Sequence, residues 1–203
     1  MAGRALNLPN MLTYGRIIAV PLVVLCFFVD GRLQSSDFAR WSALAIFVIA
    51  SVTDYFDGYL ARAWQQQSNI GRMLDPIADK LLVSTCLLLL AADTDRTIAG
   101  WSLWAAIIIL CREILVSGLR EYLAELKVSL PVTRLAKWKT TWQLVAVGFL
   151  IAGDAGDKIA SDLLKQEVLV ITNVGLALLW LSALVTLYTG YDYMRAGLRH
   201  MID

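Results

Sequence analysis

Ser51-Val52-Thr53-Asp54-Tyr55-Phe56-Asp57-Gly58-Tyr59-Leu60-Ala61-Arg62 ends an apolar stretch with two carboxylates that a lipid-facing helix should not carry. Two more open the next apolar run, in Gly71-Arg72-Met73-Leu74-Asp75-Pro76-Ile77-Ala78-Asp79-Lys80. Ionisable side chains are costly at membrane depth, and their presence there points to function. The spacing is helical. Asp54 and Asp57 stand at i and i+3, with Gly58 and Ala61 at i+4 and i+7 on the same face. Asp75 and Asp79, at i and i+4, share a face of the following helix. The short link Arg62–Leu74 predicts that these two helices are antiparallel neighbours whose four carboxylates meet in one cavity.

The rest of the chain supplies the setting. Of 203 residues, 58% are hydrophobic and 17% charged, against about 25% charged in a soluble domain. With a mean hydropathy of +0.62, this composition predicts an all-α integral membrane protein. Six apolar segments, Met11–Val29, Trp41–Ala63, Pro76–Ala92, Gly100–Leu119, Trp138–Gly153 and Val168–Tyr193, each have about the length of a transmembrane helix. The alternating polarity of a membrane β-barrel is absent, and short connections predict one domain over 1–203.

Basic residues orient the bundle. With the N-terminus in the cytoplasm, that side holds Arg4, Arg16, Arg62, Arg72, Lys80, Arg112, Arg120, Lys127, Arg134, Lys137, Lys139, Arg195 and Arg199, and the opposite loops hold Arg32, Arg40, Arg96, Lys158 and Lys165. This bias predicts both termini cytoplasmic. The first apolar segment reads as a retained helix rather than a signal peptide. The net charge of +1 gives no sign of a nucleic-acid partner. Cys26, Cys86 and Cys111 lie in apolar runs without a CxxC pair and read as packing residues, and the lone His200 argues against a histidine-centred catalytic site. Trp41, Trp64, Trp101, Trp104 and Trp138 fall near helix ends, as in interfacial aromatic belts.

Four unpaired carboxylates in one cavity would repel one another and take up protons, a conflict that divalent cations remove. Hard oxygen ligands suit Mg²⁺, Mn²⁺ or Ca²⁺ better than zinc. Gly58 and Ala61 clear side chains from the carboxylate face, for close helix packing or for a bulky ligand. Arg62 offers a planar fork for phosphate oxygens, or snorkels to the interface. Together these features suggest a metal-bound phosphate or diphosphate.

The string Asp54-x2-Asp57-Gly58-x2-Ala61-Arg62-x8-Gly71-x3-Asp75-x3-Asp79 resembles, at every fixed position, the signature of the CDP-alcohol phosphatidyltransferases. Asn10-x2-Thr13-x2-Arg16 at the start of the first helix extends the resemblance. It implies the six-helix CDP-alcohol phosphotransferase fold and a homodimer in the bacterial cytoplasmic membrane, its active site facing the cytoplasm among membrane lipids. It further implies that Asp54, Asp57, Asp75 and Asp79 hold Mg²⁺ or Mn²⁺, two ions in all, and that Asp79 also serves as general base. Asn10, Thr13, Gly58, Ala61, Arg62 and Ser68 would line the donor site.

Within the family, Arg112–Glu121 and Lys137–Thr141 look most like bacterial members that move a phosphatidyl group from CDP-diacylglycerol to glycerol 3-phosphate. If the fourth helix leaves the membrane near Arg120, Arg112 lies ~12 Å inside, at a depth similar to Asp57. Arg112, Arg120, Arg134, Lys137 and Lys139 then form the expected pocket for the acceptor phosphate, although the positive-inside bias alone would place basic residues there. Glu113 is expected to pair with a nearby base. Two alternatives remain: the same reaction on inositol phosphate, inositol or serine, and a small cation transporter.

Overall fold

In a computed structural model, the backbone is described for residues 8–29, 32–33, 36–64, 69–93, 97–125, 134–166 and 169–202. Six helices account for almost all of it: α1 (Leu8–Phe27), α2 (Asp37–Trp64), α3 (Asn69–Ala92), α4 (Ser102–Glu125), α5 (Arg134–Leu164) and α6 (Val170–Ile202). They correspond in order to the six apolar segments, and each is longer than its segment. α3 begins at Asn69, ahead of the expected Pro76, so Asp75 and Asp79 lie within the helix rather than at its mouth. The small departure from an all-helical chain is a pair of two-residue strands, β1 (Phe28–Val29) and β2 (Arg32–Leu33), antiparallel with Phe28 opposite Leu33.

The core is made of small and branched apolar side chains. Val23 and Phe27 of α1, Ala43 and Phe47 of α2, Leu87 and Leu90 of α3, Ile109 of α4, Val147 and Leu150 of α5, and Leu179 of α6 are all buried together. The outside is equally apolar. Ile18, Leu25, Ile49, Leu88, Ile114, Leu184 and Leu187 stand exposed, a surface suited to lipid rather than water. By length and composition, Ser102–Ala124 and Val170–Gly197 can each cross a membrane. Trp41, Trp101, Trp104 and Trp138 also face outward, as an aromatic belt requires.

Two expectations need correction. α2 and α3 were expected to pair directly. Among the described residues α1 instead packs on both α2 and α3, and so brings their carboxylates together. The physical reason is charge: α1 contributes Arg16 and Thr13 to a place where carboxylates alone would repel. The cysteines are not uniformly packing residues, because Cys86 is buried while Cys111 is exposed on α4. Gly175 lets α6 close on α5: a Cβ there would lie 2.9 Å from Leu150.

α5 is two helical pieces joined at Gly153, whose φ of 35° and ψ of −123° are not helical. The sequence placed the end of the fifth apolar segment at this residue. Beyond the kink, Asp157 reaches the start of α6, where its carboxylate accepts hydrogen bonds from the backbone N–H of Ile171 (2.7 Å) and Thr172 (3.3 Å). This caps α6 with an acidic group at its positive end.

Candidate functional site

Three helices bring charge to one point. Arg16 of α1 is 1% exposed, and its Nη1 contacts Asp54 Oδ1 of α2 and lies 3.0 Å from Asp79 Oδ1 of α3. One turn earlier on α1, the Thr13 hydroxyl donates to Asp75 Oδ1 at 2.6 Å. Three of the four expected carboxylates, Asp54, Asp75 and Asp79, are thus gathered around α1. The spacing explains the geometry: Thr13 and Arg16 stand at i and i+3 on one face, and Asp75 and Asp79 at i and i+4 on another. Asp57, Gly58, Ala61 and Arg62 lie on the same helix as Asp54, but their side chains fall outside the described residues, as does that of Asn10. Ser68 lies outside altogether.

A divalent cation fits this donor set. The ligands on offer are carboxylate oxygens from two helices, the hard donors that Mg²⁺ and Mn²⁺ prefer. The meeting point of Asp54 and Asp79 already accommodates a positive group, the Arg16 guanidinium. Among the described residues no three carboxylates close on one centre, and the Asp57 side chain is not among them.

A second charged group lies on α4, α5 and α6. Lys139 of α5, buried, is paired with Glu113 of α4. Arg112 Nη1 lies 3.3 Å from the same Glu113 Oε1, and Arg112 Nη2 donates to Thr189 Oγ1 of α6 at 3.0 Å. Arg120 donates to the Tyr193 hydroxyl at 2.9 Å and sits 5.0 Å above the Tyr193 ring. Gly190 lets α6 close on this cluster, since a Cβ there would lie 3.0 Å from Arg112 Cγ. Lys80, which follows Asp79 on α3, bonds Ser117 of α4. Of the five expected acceptor residues, Arg112 and Lys139 meet at Glu113, and Arg120 is turned toward Tyr193. The side chains of Arg134 and Lys137 fall outside the described residues.

Sequence reading assigned no role to Arg16, although it quoted the residue within the Asn10-x2-Thr13-x2-Arg16 pattern. It also missed Thr189 and Tyr193, whose only signal is polarity inside the last apolar segment. Arg40 was counted as a loop residue. It is fully buried and paired with Asp93 at 2.8 Å, toward the opposite end of α2 from Asp54.

A membrane-suited helical bundle with a carboxylate cluster on its first three helices and a basic cluster on its last three fits a class: an enzyme equipped for phosphate-bearing substrates at a lipid surface. The chain belongs to the CDP-alcohol phosphatidyltransferase family, whose model matches residues 6–188. It is 43% identical over 192 residues to the CDP-diacylglycerol–glycerol-3-phosphate 3-phosphatidyltransferase of Rickettsia bellii, covering 94% of each chain. Enzymes of the same name from Cereibacter sphaeroides and Shigella flexneri serotype 5b are 39% and 36% identical, each over 97% of this chain and 98% of the relative.

Proposed function

We propose that the protein transfers a phosphatidyl group from CDP-diacylglycerol to glycerol 3-phosphate, releasing CMP and forming phosphatidylglycerophosphate for phospholipid biosynthesis. One observation carries the reading: α1 gathers Asp54, Asp75 and Asp79 through Arg16 and Thr13, and the later helices bring Lys139 and Arg112 together at Glu113. Relatives of that name over nearly the whole chain support the choice of acceptor.

In this reading Asp54, Asp57, Asp75 and Asp79 hold Mg²⁺ or Mn²⁺, two ions in all. Such ions, when bound, neutralise charge on the donor diphosphate and on departing CMP. Asn10, Thr13, Gly58, Ala61, Arg62 and Ser68 contact the donor. Thr13 orients Asp75 through its hydroxyl. Asp79 accepts the proton of the acceptor hydroxyl as that oxygen attacks the phosphorus bearing diacylglycerol, and the bond to CMP breaks. A carboxylate beside cations is a weak base, so positioning supplies much of the rate; aligned reactants can contribute ~7–11 kcal/mol.

Lys139 and Arg112 bind the acceptor phosphate, and Arg120, Arg134 and Lys137 add positive charge around it. An acceptor without a phosphate, such as inositol or serine, would not call on a dedicated phosphate-binding cluster. A cation transporter would leave it equally unexplained. The working unit is one catalytic domain over 1–203, a homodimer of six-span subunits in the bacterial cytoplasmic membrane. Both termini and the active site face the cytoplasm, following the basic bias of those loops.

The deciding experiment gives purified protein CDP-diacylglycerol, Mg²⁺ or Mn²⁺, and single acceptors. CMP release with glycerol 3-phosphate and not with serine or inositol is expected. Preference for another acceptor would overturn the choice of substrate and leave the reaction class standing.

A further inference from the structure

The buried guanidinium of Arg16 has no part in the reaction as derived so far. Its Nη1 contacts Asp54 Oδ1 and Asp79 Oδ1, on two of the carboxylates that the proposed cation would use. The side chain is 1% exposed. It reaches these oxygens from a helix that packs on both α2 and α3. Two positive groups cannot share the oxygens without strong repulsion, because a double charge beside a single one at contact distance is opposed even in a polar protein environment.

We propose that Arg16 competes with the divalent cation for Asp54 and Asp79 and thereby sets the cation affinity of the site. It is a positioning residue acting through the two carboxylates. The guanidinium keeps Asp54 and Asp79 together, and a cation entering the cluster meets its positive charge at these carboxylates. This rests on the reading of the cluster as a cation site. It adds that the affinity is held down by an internal competitor rather than set by the carboxylates alone. A guanidinium is suited to the role, since it remains charged under all working conditions and cannot step aside by losing a proton.

The test measures Mn²⁺ binding directly. Full-length protein is purified, stripped with EDTA and freed of chelator. Mn²⁺ is then added, and the free ion is followed by electron paramagnetic resonance. Arg16→Gln is expected to bind Mn²⁺ about tenfold more tightly than the unaltered protein, or more. Arg16→Lys keeps the charge but lacks the planar fork, and is expected to tighten binding by about threefold. Equal or weaker binding by Arg16→Gln overturns the proposal. If Arg16→Gln does not elute as folded protein, Arg16→Lys decides: unchanged or weaker binding overturns it. A parallel CMP-release assay separates the two readings. Normal CMP release with no tightening overturns the role of Arg16 alone, whereas neither Mn²⁺ binding nor CMP release in the unaltered protein overturns both.

Discussion

The guanidinium of Arg40 occupies the space that a side chain at Gly153 would need: a Cβ built there would lie 2.7 Å from Arg40 Nη1. Arg40 enters from α2 and donates Nη1 to the carbonyls of Leu150 (3.3 Å) and Ile151 (3.2 Å), just before the kink in α5. Its Nη2 bonds Asp93 at 2.8 Å and Thr97 at 3.1 Å. A break in a helix leaves carbonyls without their usual donors, and in an apolar setting something must satisfy them. Arg40 does so, and ties α2, the end of α3 and α5 together.

Gly153→Ala should therefore destabilise the protein by about 2 kcal/mol or more, combining positive-φ strain with displacement of Arg40. Unfolding in detergent micelles checks this. Gly148→Ala on the same helix is the control, since its Cβ would meet Leu44 Cδ1 at an ordinary 3.8 Å.

Arg40→Met and Asp93→Leu should each cost about 3–5 kcal/mol, because each removes the opposite charge from its buried partner. The double substitution should cost clearly less than the sum of the two. A double-mutant cycle by thermal unfolding measures the difference, and simple additivity would show that the pair is not coupled.

At the carboxylate site, Thr13→Val should lower the rate of CMP release by up to about tenfold through loss of the hydroxyl bond to Asp75, while Thr13→Ser should retain most of it. A Val variant as active as the Ser variant would remove Thr13 from the site.

Asp79→Asn should reduce turnover by about 10²–10⁴-fold or abolish it, with the protein still folded by size exclusion and circular dichroism. Near-normal activity would exclude Asp79 as the base.

Lys139→Ala should chiefly raise KM for glycerol 3-phosphate, by about 10- to 100-fold if a charge-assisted contact to phosphate is lost. A loss of donor binding instead would contradict the assignment of Lys139 to the acceptor.

Much of this was legible along the chain. Helical spacing put Asp54 and Asp57 on one face and Asp75 and Asp79 on another, and the apolar lengths gave all six helices. Gly153 marked the end of an apolar run, which is the position of the kink. Glu113 was expected to pair with a base, and Lys139 and Arg112 are its partners. Contacts between residues far apart were not legible: Arg16 with Asp54 and Asp79, Thr13 with Asp75, Arg40 with Asp93, and Arg112 with Thr189.

By itself, then, the sequence determined the membrane character, the six helices, the carboxylate pattern and the family. These follow from hydropathy and from repeats of three or four residues, which are local properties of a helix. Only the tertiary structure decided that α1 bridges α2 and α3, that Arg16 answers the aspartates, and that Arg40 fills the break at Gly153. A charged side chain in an apolar interior must find its partner wherever the packing of helices brings one, and no local spacing encodes that choice.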